Sequence, residues 1–320
     1  MNKELEIWQF VARKLNRTES VILLVVAESS GSSPGRQGFK MIVAEDDLQG
    51  SIGGGMMEVN LVDQARSLLK EEKPGFVKTQ IHRKTSPNYS GMICSGEQSV
   101  IFFKLNAEHL KLIRKIPVYW KKHKGRYLRI TQNELLLPRR FKDHFAFKFD
   151  CESENDFIYE EMIGCKNKLF IVGGGHCALA LSEFASKMDF HIALYDDRAD
   201  LNTLAKNEYV HEKHIIESYE NINDYIPSGA NHFVVVMTLG YKTDKIVITK
   251  LLDKNFKYFG VLGSRAKMAT LLKDLRKEGV PEEKLNQIYT PIGLPINSRT
   301  PEEIAISIAA EIIAVKNKIA

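Results

Sequence analysis

The spacing of apolar residues changes character twice along the chain. Leu5, Trp8, Val11, Ala12 and Leu15 recur three or four positions apart, which predicts an amphipathic helix over residues 4–16. The period then shortens. Residues 20–27 and 40–44 read as buried strands, and the glycine-rich stretch 50–55 leads into a helix with Met57, Leu61, Ala65, Leu68 and Leu69 on one face. Residues 76–81 and 99–105 read as two further strands, separated by a turn region at 87–91. The pattern predicts a small α+β domain over 1–105.

Residues 106–165 are less regular. A helical pattern runs near 107–123, strand-like segments follow at 127–130 and 135–137, and the remainder is charged, so the stretch reads as a connector with some local structure. From 166 to 320 short apolar runs at 169–172, 191–195, 233–238 and 258–262 alternate with helical patterns. Alternation of this kind predicts a parallel sheet covered by helices, an α/β domain.

Composition narrows the class. Hydrophobic residues at 44%, charged residues at 27% and only 10 prolines exclude a disordered or collagenous polymer. The longest purely apolar run, 21–27, is far short of the ~20 residues needed to span a bilayer, and the acidic, polar start does not resemble a secretory signal. The expectation is a cytoplasmic protein with no membrane partner. Cys94, Cys151, Cys165 and Cys177 show no C-x-x-C spacing, so neither a disulfide scaffold nor a zinc knuckle is expected.

The net charge of +5 is local. Residues 167–320 carry 19 basic and 19 acidic side chains, whereas 104–148 carry 13 basic and 3 acidic. The basic stretch is either a solvated connector or a docking surface for an acidic partner or anionic ligand. No aromatic-interleaved basic motif or recognition-helix pattern accompanies it, so nucleic acid is not expected.

Chemistry gathers at glycine-rich turns. The run Gly173-Gly174-Gly175-His176-Cys177-Ala178 follows a strand and opens a helix, the arrangement of a G-x-G-x-x-A dinucleotide turn. Such a turn brings a pyrophosphate to the backbone and to the positive end of the helix. Asp196 ends the next apolar run and is placed to hydrogen-bond a ribose hydroxyl, while Arg198 either accepts a 2′-phosphate or pairs with Asp197 or Asp200. The domain over 166–320 is therefore expected to be of Rossmann type. Gly263-Ser264-Arg265 is a second anion cradle or a helix cap alone. In the first domain, the loop 31–38 and the triplet Gly53, Gly54, Gly55 before Glu58 could enclose a phosphate or a flat polar heterocycle. Cys94 lies in a turn, as either an accessible thiol or a buried inert one. His176 faces any ligand of its loop or bonds to backbone. No P-loop lysine, G-x-S-x-G elbow or H-E-x-x-H spacing occurs, so no catalytic set is assembled.

Taken in order, these motifs resemble the XdhC/CoxI family. In the first domain the resemblance rests on 31–38 with Lys40-Met41, on 50–55 with Glu58, and on 92–96. In the second it rests on 172–176, Asp196-Asp197-Arg198, 236–238, 260–265, 291–294 and 299–305. It departs at Ser95, where the family commonly has glycine, at Met56, where many relatives have cysteine, and at 237–241, where they often have histidine. The resemblance implies an accessory factor of xanthine dehydrogenase-type molybdenum hydroxylases. Such a factor binds the molybdenum cofactor (molybdopterin), supports its sulfuration with a cysteine desulfurase, delivers it to the apo hydroxylase and forms a homodimer.

On this reading Gly173, Gly174, Gly175, His176, Asp196 and Arg198, with Gly263, Ser264 and Arg265, bind NAD(P) or another nucleotide, or the nucleotide-like part of a ligand. Gly53, Gly54, Gly55 and Cys94 face the molybdenum cofactor, which is expected in a cleft between the domains. Two other readings stand beside it. An NAD(P)-dependent oxidoreductase of a small substrate would have only His176 or Tyr241 as proton donor. An interaction adaptor would bind its partner through 104–148 and neither ligand.

Overall fold

A computed structural model describes residues 3–81, 96–121, 126–138, 146–164, 167–188 and 190–317. The chain forms two compact units, 1–164 and 165–320.

The first unit contains two antiparallel sheets. Strands β1 (Val21–Ser30), β2 (Lys40–Val43), β3 (Leu48–Gly50), β4 (Phe76–Ile81) and β5 (Glu97–Leu105) lie in the order β3-β2-β1-β5-β4. Strands β6 (Arg126–Thr131), β7 (Leu135–Leu136), β8 (Phe147–Ser153) and β9 (Asp156–Ile163) form the second sheet, in the order β7-β6-β9-β8. The unbroken apolar run of β1 follows from burial on both faces. Val21, Leu23, Val25 and Ala27 join Trp8, Val11 and Leu15 of the helix Lys3–Asn16, together with Leu128, Ile130, Phe157 and Tyr159 of the second sheet. Ile22, Leu24 and Val26 face Met57, Leu61, Val62 and Ala65 of the helix Gly55–Leu68. Each such side chain contributes roughly 1.5–3 kcal/mol when fully buried, so the strand is held by both layers at once.

The stretch read from sequence as a connector therefore shares the core of the first domain. Its strands β8 and β9 escaped the pattern because β8 is mostly exposed and β9 carries a charge on its inward face. Phe157, Tyr159, Glu161 and Ile163 alternate into the core. Glu161 is tolerated there because Lys40 Nζ lies 2.7 and 2.8 Å from its two carboxylate oxygens, and the Tyr159 hydroxyl donates to it at 2.9 Å. Lys40 also donates to Glu4 Oε1 at 3.2 Å and to the Gly38 carbonyl at 3.1 Å. One ammonium thus ties together the first helix, β2, the loop before it and the second sheet. Burial works against its charge, but Glu161 and Glu4 outweigh that cost and hold its pKa above the ordinary lysine value.

The second unit is a six-stranded parallel sheet. Strands β10 (Asn167–Val172), β11 (Phe190–Asp196), β12 (Glu212–Ile215), β13 (Gly229–Val236), β14 (Phe256–Val261) and β15 (Ile288–Tyr289) lie in the order β12-β11-β10-β13-β14-β15. Helices His176–Ser186 and Pro301–Lys316 cover one face, and Tyr241–Leu251 and Arg265–Lys277 cover the other. The four apolar runs seen in the sequence became the four central strands. The edge strands were not visible because β12 is polar and largely exposed and β15 has two residues. The chain moves outward from β10 through β12, then returns to the other side of β10 as β13. The order reverses between β10 and β13, where parallel α/β sheets open a crevice. Among the described residues no helix is long and apolar enough to cross a membrane.

Lys40→Met should cost about 3–5 kcal/mol by leaving Glu161 buried and uncompensated. The double variant Lys40→Met/Glu161→Gln should regain much of that loss in urea denaturation. Strictly additive losses would show that the two groups are not coupled.

Candidate functional site

Two loops and one glycine come together in the first unit. A Cβ on Gly35 would stand 2.2 Å from the Ile52 carbonyl oxygen, one on Gly53 2.6 Å from Gly35 N, and one on Gly96 2.3 Å from Ser33 N. The loop 31–38, the turn 50–55 and Gly96 therefore approach backbone to backbone, a contact that only glycine permits. Gln98, which is buried, fastens them. Its Oε1 accepts from Ser33 Oγ at 2.7 Å, and its Nε2 lies 3.4 Å from the Ile52 carbonyl oxygen and 3.1 Å from Met57 Sδ. No local pattern announces this role, since a glutamine inside a strand is ordinarily a solvent-facing residue. Cys94 lies outside the described residues.

The triplet Gly53, Gly54, Gly55 has positive φ throughout and forms a turn whose amides converge. That turn already holds an anion. Glu58 Oε2 accepts from Ile52 N at 2.8 Å, Gly54 N at 2.9 Å and Ser51 Oγ at 2.7 Å. The backbone chemistry expected of the turn is present, but the chain's own carboxylate uses it.

At the carboxyl end of the parallel sheet, Gly173 has φ 107°, and a Cβ there would lie 2.3 Å from the Met237 carbonyl oxygen. Its N–H donates to the Tyr195 carbonyl at 2.8 Å, and Met237 N donates to the Val172 carbonyl at 2.8 Å. The ends of β10, β11 and β13 are thereby joined around one glycine. Gly174 is clamped on both sides of its peptide, through Asp196 Oδ2 at 2.6 Å and Thr203 Oγ1 at 2.5 Å.

Asp196 is turned onto its own loop. Its fully buried carboxylate accepts from Gly174 N, Arg198 N, Arg198 Nε and Arg198 Nη2, all within 2.9 Å. Four donors fill the lone-pair positions with which it was expected to meet a ribose. Burial alone would raise its pKa, but these donors and the Arg198 charge hold it below the ordinary aspartate value. Arg198 pairs with Asp196 and, at 3.9 Å, with Asp197.

Gly175 and Gly240 begin the helices that follow β10 and β13. Both have extended backbone, neither helix has a side-chain cap, and a Cβ on either glycine would meet nothing within 4 Å. Two helix N-termini thus flank the crevice with their leading amides uncapped by side chains and open space before them. His176 is exposed beside the first. By contrast, Ser264 caps the helix Arg265–Lys277 by accepting from Lys267 N at 3.2 Å, so its hydroxyl serves the helix, while Gly263 packs toward Met268 and Arg265 is exposed.

Beneath Gly240 lies a pair that the sequence pattern did not single out. Asp244, fully buried, accepts from Thr238 N at 3.1 Å and Thr238 Oγ1 at 2.5 Å and forms an ion pair with Lys267. An acid in the first turn of a helix was its only sequence signal. Tyr241 is tied elsewhere: its hydroxyl donates to Asp274 at 2.5 Å, which together with partial burial pushes its pKa up to about 12. Burial and the charge of Glu302 push the Cys177 thiol up as well, away from nucleophile chemistry. Among the described residues no three His, Cys, Asp or Glu side chains gather in a way that could hold a metal ion.

Residues 169–312 match the family described as the XdhC Rossmann domain, and residues 15–80 match the XdhC and CoxI family. The chain belongs to the XdhC and CoxI family. YqeB, an uncharacterized protein of Escherichia coli (strain K12), is 26% identical over 293 residues, covering 91% of this chain and 43% of that protein. The chain thus spans less than half the length of that relative. A Bacillus subtilis (strain 168) protein, named as a probable xanthine dehydrogenase subunit, is 25% identical over 280 residues, covering 87% of this chain and 75% of that protein. A crystal structure titled as a xanthine dehydrogenase from Bacillus halodurans has a TM-score of 0.74 at 22% identity, covering 99% of this chain and 97% of that one. It has the same fold. In the family's Rossmann domain, then, the glycine turn after β10 is present, with its usual acidic residue drawn inward.

Gly173→Ala should destabilise the protein by on the order of 3 kcal/mol, combining left-handed backbone strain with overpacking against β13, as read from the urea midpoint. The pH dependence carries a second signature. Because the folded-state pKa of Asp196 lies below its unfolded value of about 3.9, its stabilisation is present above that value and is lost as pH falls through the folded pKa. Asp196→Asn should therefore be less stable than wild type at neutral pH and should lose less stability between pH ~5 and ~2. Equal acid slopes in the two proteins would assign the acid response to other carboxylates.

Proposed function

We propose that the protein is an accessory factor for a xanthine dehydrogenase-type molybdenum hydroxylase, one that carries the molybdenum cofactor as cargo, supports its sulfuration with a cysteine desulfurase and delivers it to the apo hydroxylase. The observation that carries this reading is the pair of glycine-started helices at the crevice between β10 and β13. Both glycines have backbone angles that a serine or aspartate could adopt, and both have room for a side chain. A cap residue at either position would stabilise its helix by about 1 kcal/mol. Leaving both ends bare suits a site that receives an anion from outside, such as the phosphate of a pterin cofactor or of a nucleotide.

The neighbouring side chains suit the same guest. Asp196 and Asp244, which would repel an anion, are neutralised by Arg198 and Lys267, so the helix amides meet it without opposing charge from these acids. The bound group would supply the redox metal and its sulfur. The chain would grip the phosphate with helix amides, exclude water with the loops and hold the cargo until transfer. In the first unit the turn 53–55 is filled by Glu58, which leaves Cys94 as that unit's candidate for contact with the cofactor. Family membership and the name of the Bacillus subtilis relative support the choice of hydroxylase. An oxidoreductase reading lacks this support, because Tyr241, one of its two candidate proton donors, is tied to Asp274.

The test exploits the conflict between capping and binding. Wild-type protein offered the molybdenum cofactor should retain a pterin, read as fluorescence of the oxidised pterin released by acid. Gly175→Asp/Gly240→Asp should melt at the same or a higher temperature yet retain at least about tenfold less, the effect expected of roughly 1.4 kcal/mol lost at the anion. A wild-type protein that retains no pterin would remove the carrier function.

A further inference from the structure

Asp196 closes β11 where a dinucleotide fold places the acid that hydrogen-bonds a ribose hydroxyl. An ionised carboxylate has about four acceptor positions, two on each oxygen. The backbone takes one on each: Gly174 N donates to Oδ2 at 2.6 Å and Arg198 N to Oδ1 at 2.9 Å. Neither contact depends on a side chain other than that of Asp196. The two positions that remain, again one on each oxygen, are the pair that neighbouring hydroxyls of a ribose would need. Arg198 fills both, with Nε donating to Oδ1 at 2.9 Å and Nη2 to Oδ2 at 2.8 Å. Its fork presents two donors side by side, as a ribose diol would, and the charge on the guanidinium makes it the stronger partner.

The same stretch of chain closes the rest of that half of the crevice. Thr203 Oγ1 donates to the Gly174 carbonyl at 2.5 Å, and a Cβ on Gly174 would stand 3.3 Å from Leu201 Cδ2 and 3.4 Å from Leu204 Cδ1. Toward β13 the opposite holds, since a Cβ on Gly175 or Gly240 would meet nothing within 4 Å. An arginine serving a 2′-phosphate would have its fork free, whereas two nitrogens of this one are held by a fully buried acid. We propose that Arg198 sets the specificity of the crevice: by taking the two ligand positions of Asp196 it excludes nucleotides that dock through their ribose. The inference rests on the anion reading above and narrows its ligand to a phosphate ester recognised without a ribose contact.

Fluorescence titration of the full chain with NADH and NADPH tests it. Wild type should show no saturable binding of either at submillimolar concentrations. Arg198→Ala should bind NADH at least about tenfold more tightly, and ADP should displace that NADH better than 2′-deoxy-ADP does, because the freed acceptors of Asp196 then hold the ribose. A loop that had merely loosened would not tell the two apart. Arg198→Lys keeps a charge beside Asp196 without the fork, so it should gain part of this binding; it decides the matter if Arg198→Ala does not fold. A wild type that binds either dinucleotide, a folded variant that gains no NADH binding, or a gain indifferent to the 2′-hydroxyl overturns the proposal. Pterin retention by wild type is a separate measurement: its absence removes the carrier reading, whereas failure of the nucleotide predictions leaves that reading standing.

Discussion

The approach of backbone to backbone at the end of β10 is the constraint on which the candidate site rests. With Gly173 in a left-handed conformation, its N–H reaches the end of β11 while its α-carbon lies against Met237 at the end of β13. The three strands therefore finish together, and the helices that follow the neighbouring strands β10 and β13 leave from the point where strand order reverses. Any side chain at 173 would push the end of β13 away from β10.

Carboxylates do the fastening in both units, and each is neutralised where it acts. Asp196 holds Gly174 and Arg198, Asp244 holds Thr238 and Lys267, and Glu161 holds Lys40 and Tyr159. Such groups are costly to bury unless they are paired, and once paired they fix loop geometry more sharply than apolar contacts do. This explains how a sheet edge with buried acids can still attract an anion: their charge is spent internally.

Glu58 shows the alternative. The glycine turn of the first unit converges its amides as the crevice helices do, but there the chain supplies the carboxylate itself. One amide cradle is filled by the fold and two helix ends are left bare. The difference lies in a single side chain placed within reach of the turn, and it divides structural use of the backbone from use available to a ligand.

The class of the fold and the positions of its glycine turns were legible in the order of residues alone. Periodicity of 3.6 and runs of buried apolar residues are local properties, so the central strands, the first helix and the helix after the glycine triplet could be read, as could the turns at 53–55 and 173–175. The cap at Ser264 was one of the two readings open there, because capping is decided within four residues. Which way the charged groups faced was settled by the folded chain. Glu161 lies in an acidic stretch and enters the core because Lys40, 121 positions away, meets it there. Asp196 ends its strand as a ribose-binding acid does, yet it turns inward because Arg198 and Gly174 supply four donors. Gln98 becomes the tie between two loops only once glycines have let those loops touch. A charged or polar side chain has no preferred face in the pattern of its own segment, and its direction is set by partners that the fold brings from elsewhere.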